Sequence, residues 1–115
     1  MLIREFVNNF DLHDSVVERL FFEQNQLKIE IQFSNWRQKK FVEGEKEIIH
    51  MLLIFNDVLK FEITPNKVIV DNEILEIKLF TSEGFDDNKL EIILNNENDI
   101  LLLKIEASEV DVCLK

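Results

Sequence analysis

Two glycines and one proline serve all 115 residues, and there is no tyrosine. Tight turns in β structure need residues that tolerate positive φ, and Gly44 and Gly84 cannot supply them all. Asparagine, present eleven times, is the expected substitute. A single cysteine, Cys113, excludes an intrachain disulfide and fits a reducing compartment. No apolar run approaches the ~20 residues of a membrane-spanning helix. The opening stretch MLIREFVNNFD lacks the charged leader, long apolar core and small-residue cleavage site of a signal peptide, so the expected location is the cytoplasm. Cationic side chains are also few: 13 Lys and Arg face 23 Asp and Glu, a net charge of −10. That balance opposes nucleic acid and anionic membranes and suits either plain solubility or a basic partner. The imbalance is concentrated late. Residues 1–55 carry nine acids and seven bases, and residues 56–115 carry fourteen and six.

What the chain does have is apolar residues, 46% including ten Phe, arranged with a period of two. A chain of this length buries enough surface for one core without metal or disulfide support. The richness in Asn, Lys, Ile and Phe matches A+T-rich coding and points towards a bacterial source. Ile3, Phe6, Val7 and Phe10 form one stripe of a short N-terminal helix. Thereafter alternation dominates. LKIEIQF sets Leu27, Ile29, Ile31 and Phe33 against Lys28, Glu30 and Gln32, and SVVERLFFE before it completes a hairpin around Gln24-Asn25-Gln26. IIHMLLIF (48–55) reads as a central strand covered on both faces. LKFEI follows with Leu59, Phe61 and Ile63 inward, then a short strand at KVIV. EILEIKLF places Leu75, Ile77 and Leu79 on one face; TSEGFDDN is a loop; KLEIIL and ILLLKIEA flank the five-residue turn NNEND. The phase of alternation shifts near Ala107-Ser108-Glu109, which predicts a bulge or bend. The expectation is a mainly β fold: one domain over residues 1–115, an antiparallel sandwich or curled barrel of seven to nine strands with a short N-terminal helix.

Chemistry-bearing constellations are weak. His13-Asp14-Ser15 are adjacent, and neighbouring residues in a strand point to opposite faces, so they form no triad along a strand. The reading favoured by their position is a corner: Asp14 or Ser15 accepts backbone N–H groups, and His13 bonds a carbonyl or carboxylate. His50, alone in an apolar run, gives no ligand spacing for a metal. Asp86-Asp87-Asn88 and NNEND lack the glycine and glutamate of a twelve-residue calcium loop. Cys113 lacks the basic surroundings of a reactive thiol. Trp36 stands beside Arg37, Lys39 and Lys40 where a strand ends; it caps the core or, if exposed, anchors an interface. No catalytic residue, cofactor or metal is expected.

The motif order has a parallel. LHDSVVERLFFEQNQLKIEIQF, LLIFNDVLKFEI and LLLKIEASEVDV resemble small bacterial proteins in which a His-Asp motif opens a hairpin, Phe-x-x-Val lies centrally and Ala-x-x-Val ends the domain. Some of these are classed as immunity proteins of polymorphic toxin systems. The resemblance implies His13, Asp14, Phe55, Val58, Ala107 and Val110 as family positions and implies no activity for them. Its functional expectation is a non-enzymatic cytoplasmic protein that binds a basic partner such as a toxin domain. The acids expected to steer that partner are Glu83, Asp86, Asp87, Glu97, Asp99, Glu106, Glu109 and Asp111, with Trp36 as an anchor. Two other readings stay open. One is a small-molecule module with a pocket near His13 and His50; the other is a structural protein that self-associates through strand edges.

Overall fold

In a computed structural model, residues 1–80 and 88–115 are described. The apolar stripe at the N-terminus forms α1 (Ile3–Asn9). Eight strands follow: β1 (Val16–Glu23), β2 (Gln26–Ser34), β3 (Ile48–Asn56), β4 (Lys60–Thr64), β5 (Asn72–Leu79), β6 (Lys89–Asn96), β7 (Asp99–Glu106) and β8 (Glu109–Leu114). All pairings are antiparallel, in the order β4-β7-β6-β5-β1-β2-β3-β8. The chain is thus mainly β, one unclosed sheet with one short helix. LKIEIQF behaves as its alternation dictates: Leu27, Ile29 and Ile31 are fully buried, and Phe33 nearly so.

The sheet curls because its register is broken at three places. In β1 the pairing with β2 skips Glu18. In β5 the pairing with β6 skips Leu75. The third break is a corner, where β3 runs into β4 while β7 runs into β8. The ladder passes from Asn56↔Glu109 to Lys60↔Glu106. Three residues, 57–59, therefore oppose two, 107–108. The Ser108 amide donates to the Asn56 carbonyl (3.1 Å) and the Leu59 amide to Glu106 (2.9 Å), so pairing survives the bend. Asp57 absorbs the extra residue at φ 51°. An unequal count of this kind bends and twists a paired ribbon. The two ribbons turn together, and the apolar faces of the sheet's two halves share one core.

α1 closes that core. Phe6 is fully buried with its ring edge-on to Phe55 (centroids 6.2 Å), and Phe10 meets Phe33 (5.8 Å). Such aromatic pairs add about 0.5–1.5 kcal/mol each beyond burial. Met1 also exchanges both backbone hydrogen bonds with Val110, each 2.9 Å, which covers part of the free edge of β8.

Several expectations need correction. β3 is not covered on both faces: Met51, Leu53 and Phe55 are buried, but Ile48 and His50 are exposed, since β3 is next to the edge and its outer face has no second layer. Leu59 is 73% exposed, because it lies in the corner rather than in β4. KVIV is not a strand; within this connection only Ile69 turns inward. In β5 the bulge at Leu75 brings Ile74 onto the inner face with Ile77 and Leu79. NNEND tightens to a two-residue turn, since Asn96 pairs with Asp99. Positive φ is taken by Asp14, Asp57 and Asp71 as well as Gln24, Asn25 and Glu97, so aspartate rather than asparagine leads. The TSEGFDDN loop lies outside the described residues apart from Asn88.

Truncating Phe55 removes the contact between α1 and the corner. Phe55→Ala should lower stability by about 3–5 kcal/mol in urea titrations, whereas the exposed Phe21→Ala should cost less than about 1 kcal/mol.

Candidate functional site

The positions singled out by the resemblance fall into two groups, each at a place where the sheet changes direction. The first is the turn into β1. Asp14 sits at φ 68°, and its amide donates to the Ile74 carbonyl (3.0 Å). The Ile74 amide donates back to Ser15 (2.7 Å), which fixes β5 against the start of β1. Ser15 is fully buried, and its Oγ accepts from the Ser34 amide (2.9 Å). Ser34 Oγ donates to the His13 carbonyl (2.7 Å), which leaves Ser15 Oγ as the donor in the 3.0 Å contact between the two hydroxyls. His13 Nδ1 lies at the Leu75 carbonyl, the residue skipped by the β5 register. The imidazole donates to that carbonyl and so ties the bulge to the turn. Asp14 accepts from Arg37 Nη1 (3.2 Å), and Asp11 lies 3.4 Å from Arg37 Nε. His13, Asp14 and Ser15 are all occupied in holding strands together. Ser15 and His13 point to different partners, and no nucleophile–base contact exists among them.

The second group lies at or beside the corner. Phe55 and Val110 are fully buried register partners across β3 and β8. Val58 packs on the core, and its amide donates to Asn25 (2.9 Å), which docks the β1–β2 hairpin tip. Ala107, fully buried, donates to Asn88 (3.1 Å). The resemblance therefore falls on residues that shape the sheet.

The expected acidic face divides. Glu109 and Asp111 stand on β8 beside the corner, with Asp57 next to them. Asp111 accepts from Asn56 Nδ2 (2.9 Å) and Asp57 from Ser108 Oγ (3.0 Å). Among the described residues none of the three carboxylates has a cation at ion-pair distance. Glu106 differs, since Lys89 lies 3.5 Å away. Glu97 and Asp99 occupy the opposite end of β7, about 23 Å off at ~3.3 Å per residue. Glu83, Asp86 and Asp87 lie outside the described residues.

Trp36 does not cap the core. It is 44% exposed, with the Arg37 guanidinium 5.4 Å from its ring. Arg37 is in turn held by Asp11 and Asp14, so the indole is presented from an ordered base. His50 lies on the outer face of β3, 3.3 Å from Glu18, and shares no partner with His13. Among the described residues no group of three His, Cys, Asp or Glu side chains is placed to hold a metal ion, and no helix is long and apolar enough to cross a membrane. Cys113 is exposed on β8.

One charged centre was illegible in the alternation. Glu30 reads as water-facing, yet its side chain is only 12% exposed. Arg19 grips it through two nitrogens, and Lys115 Nζ lies 3.1 Å away. The Arg19 hydrogen bond, followed by that of Lys115, holds its carboxyl down at about 2 against the cost of burial.

Comparison with family models, curated proteins and solved structures gave no match for the chain.

Two predictions follow from this geometry. Ser15→Ala leaves the Ser34 amide without its acceptor and should cost about 1–3 kcal/mol in chemical denaturation. For Glu30 the folded carboxyl titrates below its ordinary 4.5, so its contribution is complete above that pH and disappears as pH falls towards about 2. The stability gap between the native chain and Glu30→Gln, followed by urea midpoints, should be widest near neutrality and close through that acidic window.

Proposed function

We propose that the chain is a non-enzymatic cytoplasmic binding protein that captures a basic protein partner, in the manner of an immunity protein that blocks a toxin domain. The observation that carries this reading is the corner: Asp57, Glu109 and Asp111 present carboxylates that, among the described residues, have no cation at ion-pair distance, beside the exposed Leu59. Uncompensated charge at one end of a chain of net charge −10 attracts a cationic surface over roughly a Debye length and raises the encounter rate. An exposed leucine next to it offers an apolar contact once the partner has arrived. Trp36, stacked by Arg37, is a second exposed anchor. The resemblance to immunity proteins supplies the kind of partner, and the family positions supply the frame that holds the acids in place.

The test takes as partner the basic protein that the chain captures in a pull-down from its native host. The variant Asp57→Asn/Glu109→Gln/Asp111→Asn should slow association by about tenfold at low salt, leave dissociation nearly unchanged, and lose its difference from the native chain at high salt. Glu97→Gln/Asp99→Asn, at the far end, is the control. Equal association rates for the triple variant and the native chain at every ionic strength contradict electrostatic capture at the corner.

A further inference from the structure

The outer face of β4, β7 and β6 carries a lattice of charges set by register. One row runs Lys60, Glu106, Lys89, and the next runs Glu62, Lys104, Glu91. Lys78 of β5 extends the second row and lies 3.9 Å from Glu91. On a flat lattice Lys104 would settle between its two register partners, Glu62 and Glu91. It does not. Its ammonium stands 4.6 Å from the centroid of the Phe80 ring instead. Phe80 is placed there by its own amide, which donates to the Lys89 carbonyl (2.9 Å) and carries the β5–β6 pairing one residue further.

The consequence is a local reversal of charge. Lys104 leaves its own row for the Phe80 ring, which extends the row of Lys60 and Lys89. Three ammonium-bearing side chains and the Phe80 ring then share a cavity of about 220 Å³ with Phe61, Glu62, Leu90, Ile105 and Glu106. Glu106 is engaged by Lys89 at 3.5 Å, and Glu62 accepts from Thr64 Oγ1 at 3.4 Å. Among the described residues, neither Lys60 nor Lys104 has a carboxylate at ion-pair distance. Two such ammoniums facing one cavity are notable in a chain whose acids outnumber its bases by 23 to 13. Bringing like charges together has a cost that an anion between them removes. The volume admits one aromatic ring with a charged substituent, and the half-buried Phe80 gives that ring an apolar wall.

We propose that this cavity is a binding site for a small organic anion, a carboxylate or phosphate ester with a flat apolar body, its charge held by Lys60 and Lys104 and its body against Phe80. The site is separate from the acidic corner and does not depend on the partner proposed there.

The test is a titration of the isotopically labelled full chain followed by amide NMR shifts, with phenyl phosphate and benzoate as probes, inorganic phosphate for the charge alone and benzylamine as the sign control. Phenyl phosphate or benzoate should give saturable shifts at Lys60, Phe80, Lys89, Lys104 and Glu106, with Kd at or below ~1 mM. Lys60→Gln/Lys104→Gln should weaken that binding at least about tenfold while the remaining spectrum stays dispersed, because both side chains lie on the outer face. Phe80→Leu should weaken the aromatic probes and leave inorganic phosphate unaffected. Shifts that do not saturate, equal binding of benzylamine, or binding unchanged in the double-lysine variant overturn the proposal. If inorganic phosphate binds as tightly as phenyl phosphate, the flat apolar body is overturned.

Discussion

The fold depends on the paired bend at which β3 becomes β4 and β7 becomes β8. Each half of the sheet is apolar on one side, and neither half could hide that side from water alone. The bend solves this by turning two hydrogen-bonded strands together, with one extra residue on the outer path. A bend in a single strand would orphan backbone groups; a shared bend keeps Asn56, Leu59, Glu106 and Ser108 paired. Ala107, with no side chain beyond Cβ, is fully buried there, and Asp57 takes the left-handed conformation that the extra residue imposes. α1 then fills what the two halves leave open, with Phe6 against Phe55.

The two ends of this arrangement explain why His13-Asp14-Ser15 is so densely bonded. β1 and β5 pair through only two positions, Val16↔Glu73 and Val17↔Asn72. So short a seam needs support from outside the ladder, and the turn before β1 gives it through Asp14, Ser15 and the His13 imidazole. A histidine, an aspartate and a serine in a row attract a catalytic interpretation; here each completes a hydrogen bond that a bulge or a strand end had left open. With the backbone so fixed, the surface is left to charge: acids at the bend that among the described residues have no cation at ion-pair distance, and Lys104 over Phe80 on the outer face of β4, β7 and β6.

Much of the architecture was legible in the sequence, and the limits have physical causes. The three-and-four spacing of Ile3, Phe6, Val7 and Phe10 located the helix stripe, and alternation located the β1–β2 hairpin and the phase shift at Ala107-Ser108, because a water-facing and a buried side must alternate in any strand with one wet face. It misjudged β3, since an apolar run looks the same whether its second face meets another layer or open solvent. It misplaced Leu75, because a bulge shifts the phase without changing composition. Glu30 was hidden for a different reason: its burial comes from Arg19 across one neighbour and Lys115 at the chain end, and long-range ion pairs leave no local trace. The acids on β7 and β8 looked like one face because they are close in sequence. The length of β7 separates them.

The bend is a hydrogen-bonded part of the sheet, and amide hydrogen exchange reads that directly. The amides of Leu59 and Ser108, both outside regular strands, should exchange as slowly as those within β3 and β7 and be released only with global unfolding. Exchange at the rate of an open loop, with the strands around them still protected, would mean that two separate sheets merely touch there, and the shared bend would not be what curls this chain.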